Sequence, residues 1–449
     1  MQRDVLFWIW LADLLGAANR DFRKLIALYE NPYELFHAEE NEIERISGIS
    51  SGTREKLLRK NLQRASDILE QCEKQEIGIL TYGDDAFPNA LREIDDPPIL
   101  LYCRGKLPDL NKRLSIGMVG TRRMSAYGMQ SAYKISYELA ATDTVIVSGM
   151  ASGIDGVCAA AAIAAKGSTV AVLGCGVDVL YPKHHKRLMD AICQNGVLLS
   201  EYAPGTPPHH YHFPVRNRLI SGMTQGTMVV EAGLGSGSLI TAKNAIAQGR
   251  IVFTVPANVG SKGAEGTNGL LRDGATMVLS TDDVLKPFQF VYAETLRTEN
   301  LITARNASKL DMKYLDQLGV IELTSSGTAG GQVLRAAPKE EKTASPKSRT
   351  APQKASTAKK EKNTAASVAP AVEKSPVKSA APIKNTEEVL SSLTETQLAV
   401  FRAIPDDQAI TVDGLNGLDL AYGDLIAALT MLEIMGLIQK LPGALYIKV

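Results

Sequence analysis

Leu114-Ser115-Ile116-Gly117-Met118-Val119-Gly120-Thr121-Arg122-Arg123 is an apolar run that ends in two small residues and two arginines, and a helix-like stretch follows it. The same order of strand, loop and helix recurs along the chain, with apolar strands at 145–147, 169–173, 197–199, 228–230 and 251–255. Strands that are apolar on both faces and alternate with helices predict the α/β class, with a doubly wound parallel sheet. Because such sheets bind ligands beyond the carboxyl ends of their strands, the loops after the strands are the candidate sites.

The first of these loops, Gly120 to Arg123, predicts contact with phosphate. It is not a GxGxxG dinucleotide fingerprint, because arginines stand in place of the second glycine. A glycine lets backbone N–H groups approach an anion, and a guanidinium offers donors in a fixed geometry. We therefore predict that Gly120, Arg122 and Arg123 bind phosphate, and we favour Arg122 because it lies closer to the strand. Surface arginines in an ordinary turn are the alternative.

Two further loops are rich in glycine and serine, at 148–153 and 233–238. The first is predicted either to cradle an anion or to be a tight turn that lets a helix pack on the sheet, with Asp155 as a helix cap. The second is not a Walker A loop, since no Lys-Ser/Thr pair follows it, and ATP hydrolysis by that route is not predicted. The candidate anion ligands in the two loops are Ser148, Gly149, Ser236 and Ser238.

The stretch Phe213-Pro214-Val215-Arg216-Asn217-Arg218 combines an aromatic ring with two arginines and an amide. Phe213, Arg216, Asn217 and Arg218 predict contact with an anionic polymer or a nucleotide. Lys183 and the rings of 181–185 and 207–213 add a cation and surfaces on which bases stack. No Cys or acid completes a metal-ligand set, and no Ser-His-Asp set or paired carboxylate emerges. We predict no metal ion, no cofactor and no catalytic residue.

Composition sets the organisation of the chain. With 449 residues it is too long for one ordinary core. The 49 basic and 49 acidic residues balance, but residues 336–385 hold 11 basic against 4 acidic residues, which leaves the rest at −7. A nucleic-acid site in the folded part must therefore be a local patch. Five scattered cysteines without a CxxC pair indicate reduced thiols in the cytoplasm, and no signal peptide or membrane span is predicted.

We predict five segments: a helical domain at 1–75, an α/β domain at 80–300, an irregular extension at 301–335, a flexible linker rich in Lys, Ala, Pro and Ser at 336–385, and a winged-helix-like domain at 386–449. The first contains Ile46 to Arg54, which is like a helix-hairpin-helix (SAM-like) turn, although Ser50 stands where a second glycine is usual. An ordinary helix-helix turn is the alternative. The last has three basic and nine acidic residues, −6, so we favour a protein-protein role for it over DNA binding.

Taken together, these segments resemble the DprA/Smf family, the DNA-processing proteins of natural transformation. The resemblance is carried in order along the chain by 119–128, 148–155, 173–184, 200–205, 213–222, 230–241 and 261–275, which includes Gly266-Thr267-Asn268. It implies a Rossmann-like core that binds single-stranded DNA without sequence preference. It also implies a homodimer that loads the RecA recombinase onto incoming DNA and displaces or bypasses single-strand-binding protein.

Carried over by motif, Arg122 and Lys183 would hold backbone phosphate, while Phe213, Arg216, Asn217 and Arg218 would line the groove. The family has no known essential catalytic centre. One departure is Ala257, which follows Val255-Pro256 where the family commonly has glycine. A second is the acidic C-terminal domain, which need not reproduce a DNA-binding role.

Two other functions remain open from the sequence. One is a nucleotide phosphoribohydrolase similar to the LOG family, whose PGGxGTxxE motif supplies a carboxylate. Thr241 occupies the place of that acid if Gly237-Ser238 stands for Gly-Thr, so the enzyme loses its stabilising group. Release of free adenine from AMP would favour the enzyme. The other is a scaffold joined through the end domains, which oligonucleotide binding at several salt concentrations would separate from a DNA-binding protein.

Overall fold

The structure, a computed structural model, describes residues 2–261 and 263–322 and, further on, 393–405, 410–411, 413–415, 418, 425, 428–429, 432, 437–441 and 445–448. Contacts between residues divide the chain into two compact units, Met1–Ala344 and Ser345–Val449. The linker predicted at 336–385 lies outside the described residues.

The helices of the first unit are α1 (Gln2–Leu15), α2 (Phe22–Leu28), α3 (Pro32–His37), α4 (Glu40–Arg45), α5 (Ser51–Leu57), α6 (Gln63–Lys74), α7 (Asn89–Arg92), α8 (Ala126–Ala141), α9 (Ile154–Ala164), α10 (Lys186–Asn195), α11 (His212–Gly222), α12 (Ser238–Ala247), α13 (Glu265–Arg272), α14 (Thr281–Leu285), α15 (Leu301–Ala307) and α16 (Met312–Gln317). Its strands are β1 (Gly78–Thr81), β2 (Leu100–Gly105), β3 (Ser115–Val119), β4 (Val145–Ser148), β5 (Thr169–Leu173), β6 (Gly196–Ser200), β7 (Gly226–Val229), β8 (Ile251–Thr254) and β9 (Thr276–Met277).

These strands form one sheet in the order β1-β2-β6-β5-β4-β3-β7-β8-β9. In this order, every neighbouring pair from β6 to β9 is parallel. At the other edge β1 pairs antiparallel with β2, and β2 pairs antiparallel with β6. The strand order reverses at β3, which has β4 on one side and β7 on the other. The prediction of an α/β protein with a doubly wound, Rossmann-like parallel sheet is confirmed.

The sheet is covered on both faces, because its central strands β3 to β7 are mostly apolar and are buried at every position. Ile116 and Met118 contribute to one core, which they share with α8 and α9, and Val119 contributes to the other, which includes residues of α11 and α12. Successive side chains of a strand point to opposite faces, so an uninterrupted apolar run buries both. The loops after β3, β4, β5 and β7 therefore meet at one rim of the sheet.

The N-terminal helices share a hydrophobic core with the sheet. Trp8 of α1 and Phe22 of α2 belong to the cluster that also includes residues of the strands. Whether residues 1–75 form a domain of their own stays a prediction. In the predicted helix-hairpin-helix turn, the Ser50 N–H donates to Asp21 Oδ2 at 3.0 Å, and the Thr53 hydroxyl donates to the same oxygen at 2.7 Å. Because Asp21 accepts hydrogen bonds from both of these donors, they are not left for a phosphate. The structure therefore favours the ordinary helix-helix turn.

The segment predicted as an irregular extension is corrected by the structure. Within its described part, up to residue 322, it contains the helices α15 and α16. Leu301 and Ala304 of α15 and Leu315 of α16 are buried. The short helices are stabilised by tertiary packing, which a sequence with little helical periodicity does not reveal.

The second unit contains α17 (Glu395–Ala403) and a three-stranded sheet of β10 (Ile410–Thr411), β11 (Ile438–Leu441) and β12 (Leu445–Lys448), in the order β10-β12-β11. Thr394 caps α17 by accepting the Gln397 N–H. The strands β11 and β12 pair antiparallel as a hairpin, which agrees with the wing of the predicted winged-helix-like domain. Most of residues 425–437 lie outside the described residues.

All five cysteines are free thiols. Over the part of the chain that the structure describes, no helix combines the length and the apolar character needed to cross a bilayer.

His185 immediately precedes α10 and joins two loops of the rim. Its ring is fully buried, and Nδ1 lies 3.2 Å from the carbonyl oxygen of Met150, which requires a proton on Nδ1. Its Nε2 is buried without a hydrogen-bond partner. Burial, reinforced by the neighbouring His184, lowers the pKa of His185 to about 4. The native protein therefore holds a neutral ring that the unfolded chain would protonate below its ordinary pKa.

The pKa of His185 is lower in the native protein than in the unfolded chain. The contribution of its neutral ring to the stability of the fold is therefore complete above pH 6.5 and is lost as the pH falls towards 4. We expect the free energy of unfolding to fall by roughly 2–3 kcal/mol over that window beyond the change in a His185→Gln variant. Urea denaturation at a series of pH values measures both proteins. Parallel curves for the two would contradict the prediction.

Candidate nucleic-acid interface

A cleft of about 2290 Å³ opens at the rim where the strand order reverses. Loops after β3, β4, β5 and β7 form its walls together with α11 and the start of α12. This is the position at which doubly wound sheets bind their ligands. Of the residues predicted from the sequence, the cleft is lined by Gly120, Arg122, Arg123, Lys183, Phe213, Arg216, Asn217, Ser236 and Ser238.

The arginine loop is held at both sides by backbone hydrogen bonds. The Thr121 N–H donates to the Glu231 carbonyl at 2.8 Å, and its carbonyl accepts the Ile154 N–H at 3.2 Å. A Cβ at Gly120 would lie 2.6 Å from Ile154, so the close approach of α9 requires glycine there. Arg122 and Arg123 follow this fixed point and are both exposed. The loop therefore presents two guanidinium groups to the cleft from a rigid base.

An aromatic ring lies beside these cations. The Phe213 ring is partly buried, and the guanidinium carbon of Arg122 lies 5.5 Å from its centroid. The guanidinium carbon of Arg216 lies 5.9 Å from the same centroid, and the Tyr181 ring lies 5.3 Å away, tilted by 30°. Cations over a ring face at such distances are attracted by its quadrupole. The cleft thus offers an oriented aromatic surface next to phosphate-binding groups.

The opposite wall is the amino-terminal end of α12. The Ser236 and Ser238 hydroxyls lie 2.8 Å apart, and the Ser238 N–H is 3.4 Å from Ser236 Oγ. The Asn217 amide donates to the Gly237 carbonyl at 3.3 Å, which ties α11 to this loop. The first N–H groups of a helix lack partners within it, so this wall suits a negatively charged ligand.

Lys183 is exposed at the third side of the cleft, which is also lined by the half-buried His184 and the exposed His209 and His210. Of the residues that the structure describes, four cations line the cleft, namely Arg122, Arg123, Lys183 and Arg216. Among the described lining residues, the one carboxylate is Asp155, and it is buried. The cleft is therefore positive in a chain with no net charge. The patch that the sequence required for nucleic acid is present.

Of the two alternatives for the loop at Ser148 and Gly149, the structure favours the packing turn over the anion cradle. The Ser148 hydroxyl donates to the Met118 carbonyl at 2.7 Å, and the Gly149 N–H donates to Asp155 Oδ2 at 3.2 Å. Neither residue lines the cleft. The carboxylate of Asp155 accepts the N–H that an anion would otherwise bind. The loop is therefore a packing turn, with Asp155 as its hydrogen-bond partner.

Arg218 is a second correction, because it does not line the cleft. It is two residues beyond Arg216, and at about 100° per residue it lies near the opposite side of α11. Its NH2 donates to both carboxylate oxygens of Glu201 at 2.7 Å, and Nε lies 3.3 Å from Asp96 Oδ2. Its side chain is 7% exposed. The residue stabilises the fold beneath the cleft.

Sequence reasoning missed some lining residues. The sequence indicates Asp155 only as a helix cap, and it does not mark Gly263 or Thr241 as ligands, although all three line the cleft. Gly263 lies in the connection between β8 and α13, beyond the carboxyl end of a strand, and that position was its available signal. Over the described part of the chain, no group of three His, Cys, Asp or Glu side chains is placed to hold a metal ion.

A doubly wound sheet whose switch point carries a basic cleft with an aromatic ring defines an α/β protein with a site for an anionic polymer or a nucleotide. Comparison with known families gives the particular one. Residues 78–289 match the family described as "DNA recombination-mediator protein A". The DNA processing protein DprA of Streptococcus pneumoniae is 44% identical over 46% of this chain and 73% of its own length. Protein Smf of Synechocystis is 29% identical over 98% of both chains.

The X-ray structure of DprA from Streptococcus pneumoniae superimposes with a TM-score of 0.56 and 37% identity, and the match covers 63% of this chain and 97% of that one. This chain belongs to the DprA/Smf family of DNA recombination mediators. The resemblance found in the sequence motifs is confirmed.

The Arg218 pairing makes a prediction about stability. Replacing Arg218 by Met leaves Glu201 and Asp96 without their cation in a buried site, and we expect the free energy of unfolding to fall by about 3–5 kcal/mol. Lys186→Met is the control, since it breaks an exposed pair with Asp190 and should cost less than about 1 kcal/mol. Denaturant titrations of both variants measure the difference. Equal losses would show that the Arg218 pair is energetically no different from a surface pair.

Proposed function

We propose that this chain binds single-stranded DNA in the cleft without sequence preference and acts there as a recombination mediator. The observation that carries the proposal is the Phe213 ring held beside exposed Arg122 at the switch point of the sheet. A base can stack on this ring while the guanidinium contacts the phosphate next to it. Every base has a π-face, so this mode of binding is independent of sequence.

The cleft favours a single strand over a duplex. In a duplex the bases are already stacked on one another, and their faces are closed to a protein ring. The ring surfaces of Phe213, Tyr181 and the histidines His209 and His210 require bases that are splayed out. Arg122, Arg123 and Lys183 contact phosphates, which specify the path of the strand and not its sequence.

The enzyme alternative is not supported by a residue of the cleft. Thr241, which takes the place of the acid in the LOG motif, lies in the cleft wall and is buried. The carboxylate that the cleft does contain, Asp155, accepts the Gly149 N–H. Its charge is directed to the protein backbone and to Arg216, and not to a sugar in the open cleft.

The partners of the proposed function follow from membership of the family. We propose that the chain acts in the cytoplasm as a homodimer, protects incoming DNA in natural transformation and loads RecA onto it. Single-strand-binding protein is the further partner that it would displace or bypass. The acidic composition of residues 386–449 supports a protein-binding role for that domain.

Arg122→Ala tests the cleft as the DNA site. We expect about tenfold weaker binding of a fluorescent dT oligonucleotide, because one phosphate contact is lost. The slope of log affinity against log salt should fall by roughly 0.7, the value for one phosphate on a single strand. The control is Arg297→Ala. Arg297 is exposed, and its backbone N–H donates to the carbonyl of Thr142 at the end of α8 that is far from the cleft.

The control variant should bind like the wild type. Equal affinities and equal salt slopes for Arg122→Ala and the wild type would remove Arg122 from the site. A wild-type protein that binds duplex as tightly as the dT oligonucleotide would contradict the single-strand proposal.

RecA loading is tested on DNA that is coated with single-strand-binding protein. We expect this chain to increase the initial rate of DNA-dependent ATP hydrolysis by RecA on coated DNA, since filament formation is limited by access to the strand. The Arg122→Ala variant should give a smaller increase in proportion to its weaker binding. An unchanged rate with the wild type, at concentrations that saturate the DNA, would contradict the loading function.

A further inference from the structure

Arg216 lines the cleft, yet its donors are directed into the protein. Its NH1 donates to the carbonyl of Gly149 at 2.9 Å and to the carbonyl of Val172, and its Nε donates to Asn217 Oδ1 at 3.2 Å. The residue is 4% exposed. A phosphate ligand needs donors that solvent and DNA can reach, and the exposed Arg122 and Arg123 meet that requirement better. The guanidinium of Arg216 instead links the carboxyl ends of β4 and β5.

The backbone of Gly149 is held on both sides by a pair of buried charged residues. Its N–H donates to Asp155 Oδ2 at 3.2 Å, and its carbonyl accepts from Arg216. A Cβ at Gly149 would lie 2.6 Å from both terminal nitrogens of the guanidinium, so only glycine leaves room for it. Burial lowers the pKa of Arg216 and raises that of Asp155, and each charge opposes the shift of the other. Asp155 thus compensates the buried cation.

The guanidinium held in this way supports the Phe213 ring. Its carbon lies 5.9 Å from the ring centroid. The backbone of Gly174 is packed against the same ring, because a Cβ there would lie 2.9 Å from Phe213 Cδ1, and Tyr181 packs at 5.3 Å. A planar guanidinium can stack on a ring and bridge two carbonyls at once, whereas an ammonium group cannot.

We infer that Arg216 is a positioning residue, which fixes the Phe213 ring for base stacking and does not itself bind phosphate. The inference rests on the proposed function, since it assumes that bases stack on Phe213. It assigns different tasks to the arginines of the cleft. The exposed pair contacts the sugar-phosphate strand, and the buried one sets the orientation of the surface on which the bases stack.

The test compares a dT oligonucleotide with an abasic oligonucleotide of the same length, which keeps the phosphates and lacks the bases. Arg216→Lys keeps the positive charge but cannot bridge Gly149 and Val172 while supporting the ring. We expect it to bind dT about five- to tenfold more weakly, the size of a weakened stacking contact, and to bind the abasic strand like the wild type. The salt slope should not change, because no phosphate contact is lost.

Two reference variants calibrate the measurement. Phe213→Leu should lose affinity for dT only, and Arg123→Gln should lose affinity for both strands with a smaller salt slope. Gly149→Ala perturbs the same unit independently, because Gly149 does not line the cleft and its new Cβ would displace the guanidinium. It should reproduce the pattern of Arg216→Lys. It also provides the test if Arg216→Lys does not fold, which thermal unfolding will show.

Equal losses on both oligonucleotides with a reduced salt slope would make Arg216 a phosphate ligand and overturn the inference. Equal losses with an unchanged slope would indicate general damage to the cleft and would overturn it too. A wild-type protein that does not bind dT at all would instead contradict the proposed function, and the two failures are therefore distinguishable.

Discussion

Parallel pairing from β6 to β9 brings the carboxyl ends of the strands to one rim of the sheet, and the functional surface depends on this constraint. The reversal of strand order at β3 separates the loop after β3 from the loop after β7, and the cleft lies between them. Residues more than a hundred positions apart, such as Arg122 and Ser236, are thereby brought to one site. At Gly120, Gly149 and Gly153 of this rim, neighbouring elements come too close to leave room for a Cβ.

Helix α11 faces the cleft at the rim with one side and the protein interior with the other. On one side it carries Phe213 and Arg216 towards the cleft, and on the other side Arg218 is paired with Glu201 and Asp96. Burying two arginines on one helix is costly unless each has partners. Arg218 is compensated by carboxylates, and Arg216 by strand-end carbonyls and the charge of Asp155. These interactions fix the rotation of α11 about its axis and thereby the side that faces the cleft.

Much of this arrangement could be predicted from the sequence, because it depends on local patterns. Apolar runs followed by small residues gave the strands and their loops, and the rule for ligands of parallel sheets placed Arg122, Lys183 and Phe213 near one another. The partners of individual polar groups could not be predicted. Whether the Gly149 N–H meets a ligand or Asp155 depends on the path of the backbone, and Arg218 differs from Arg216 only in its position around the helix. The helices α15 and α16 could not be predicted, because burial of residues such as Leu301 and Leu315 in the core of the unit stabilises them.

The distribution of charge in the cleft fits a protein that holds DNA and then passes it on. Of the four cations among the described lining residues, Arg216 is engaged with the backbone, and Arg122, Arg123 and Lys183 are at the surface. Three phosphate contacts on a single strand correspond to a salt slope of roughly −2, which is modest. Stacking on one rigid ring adds about 1–3 kcal/mol per base without recognising sequence. On the proposed function, a strand held by a few independent contacts can be released from one end while the other end stays bound, and a recombinase that advances along the DNA needs such stepwise release.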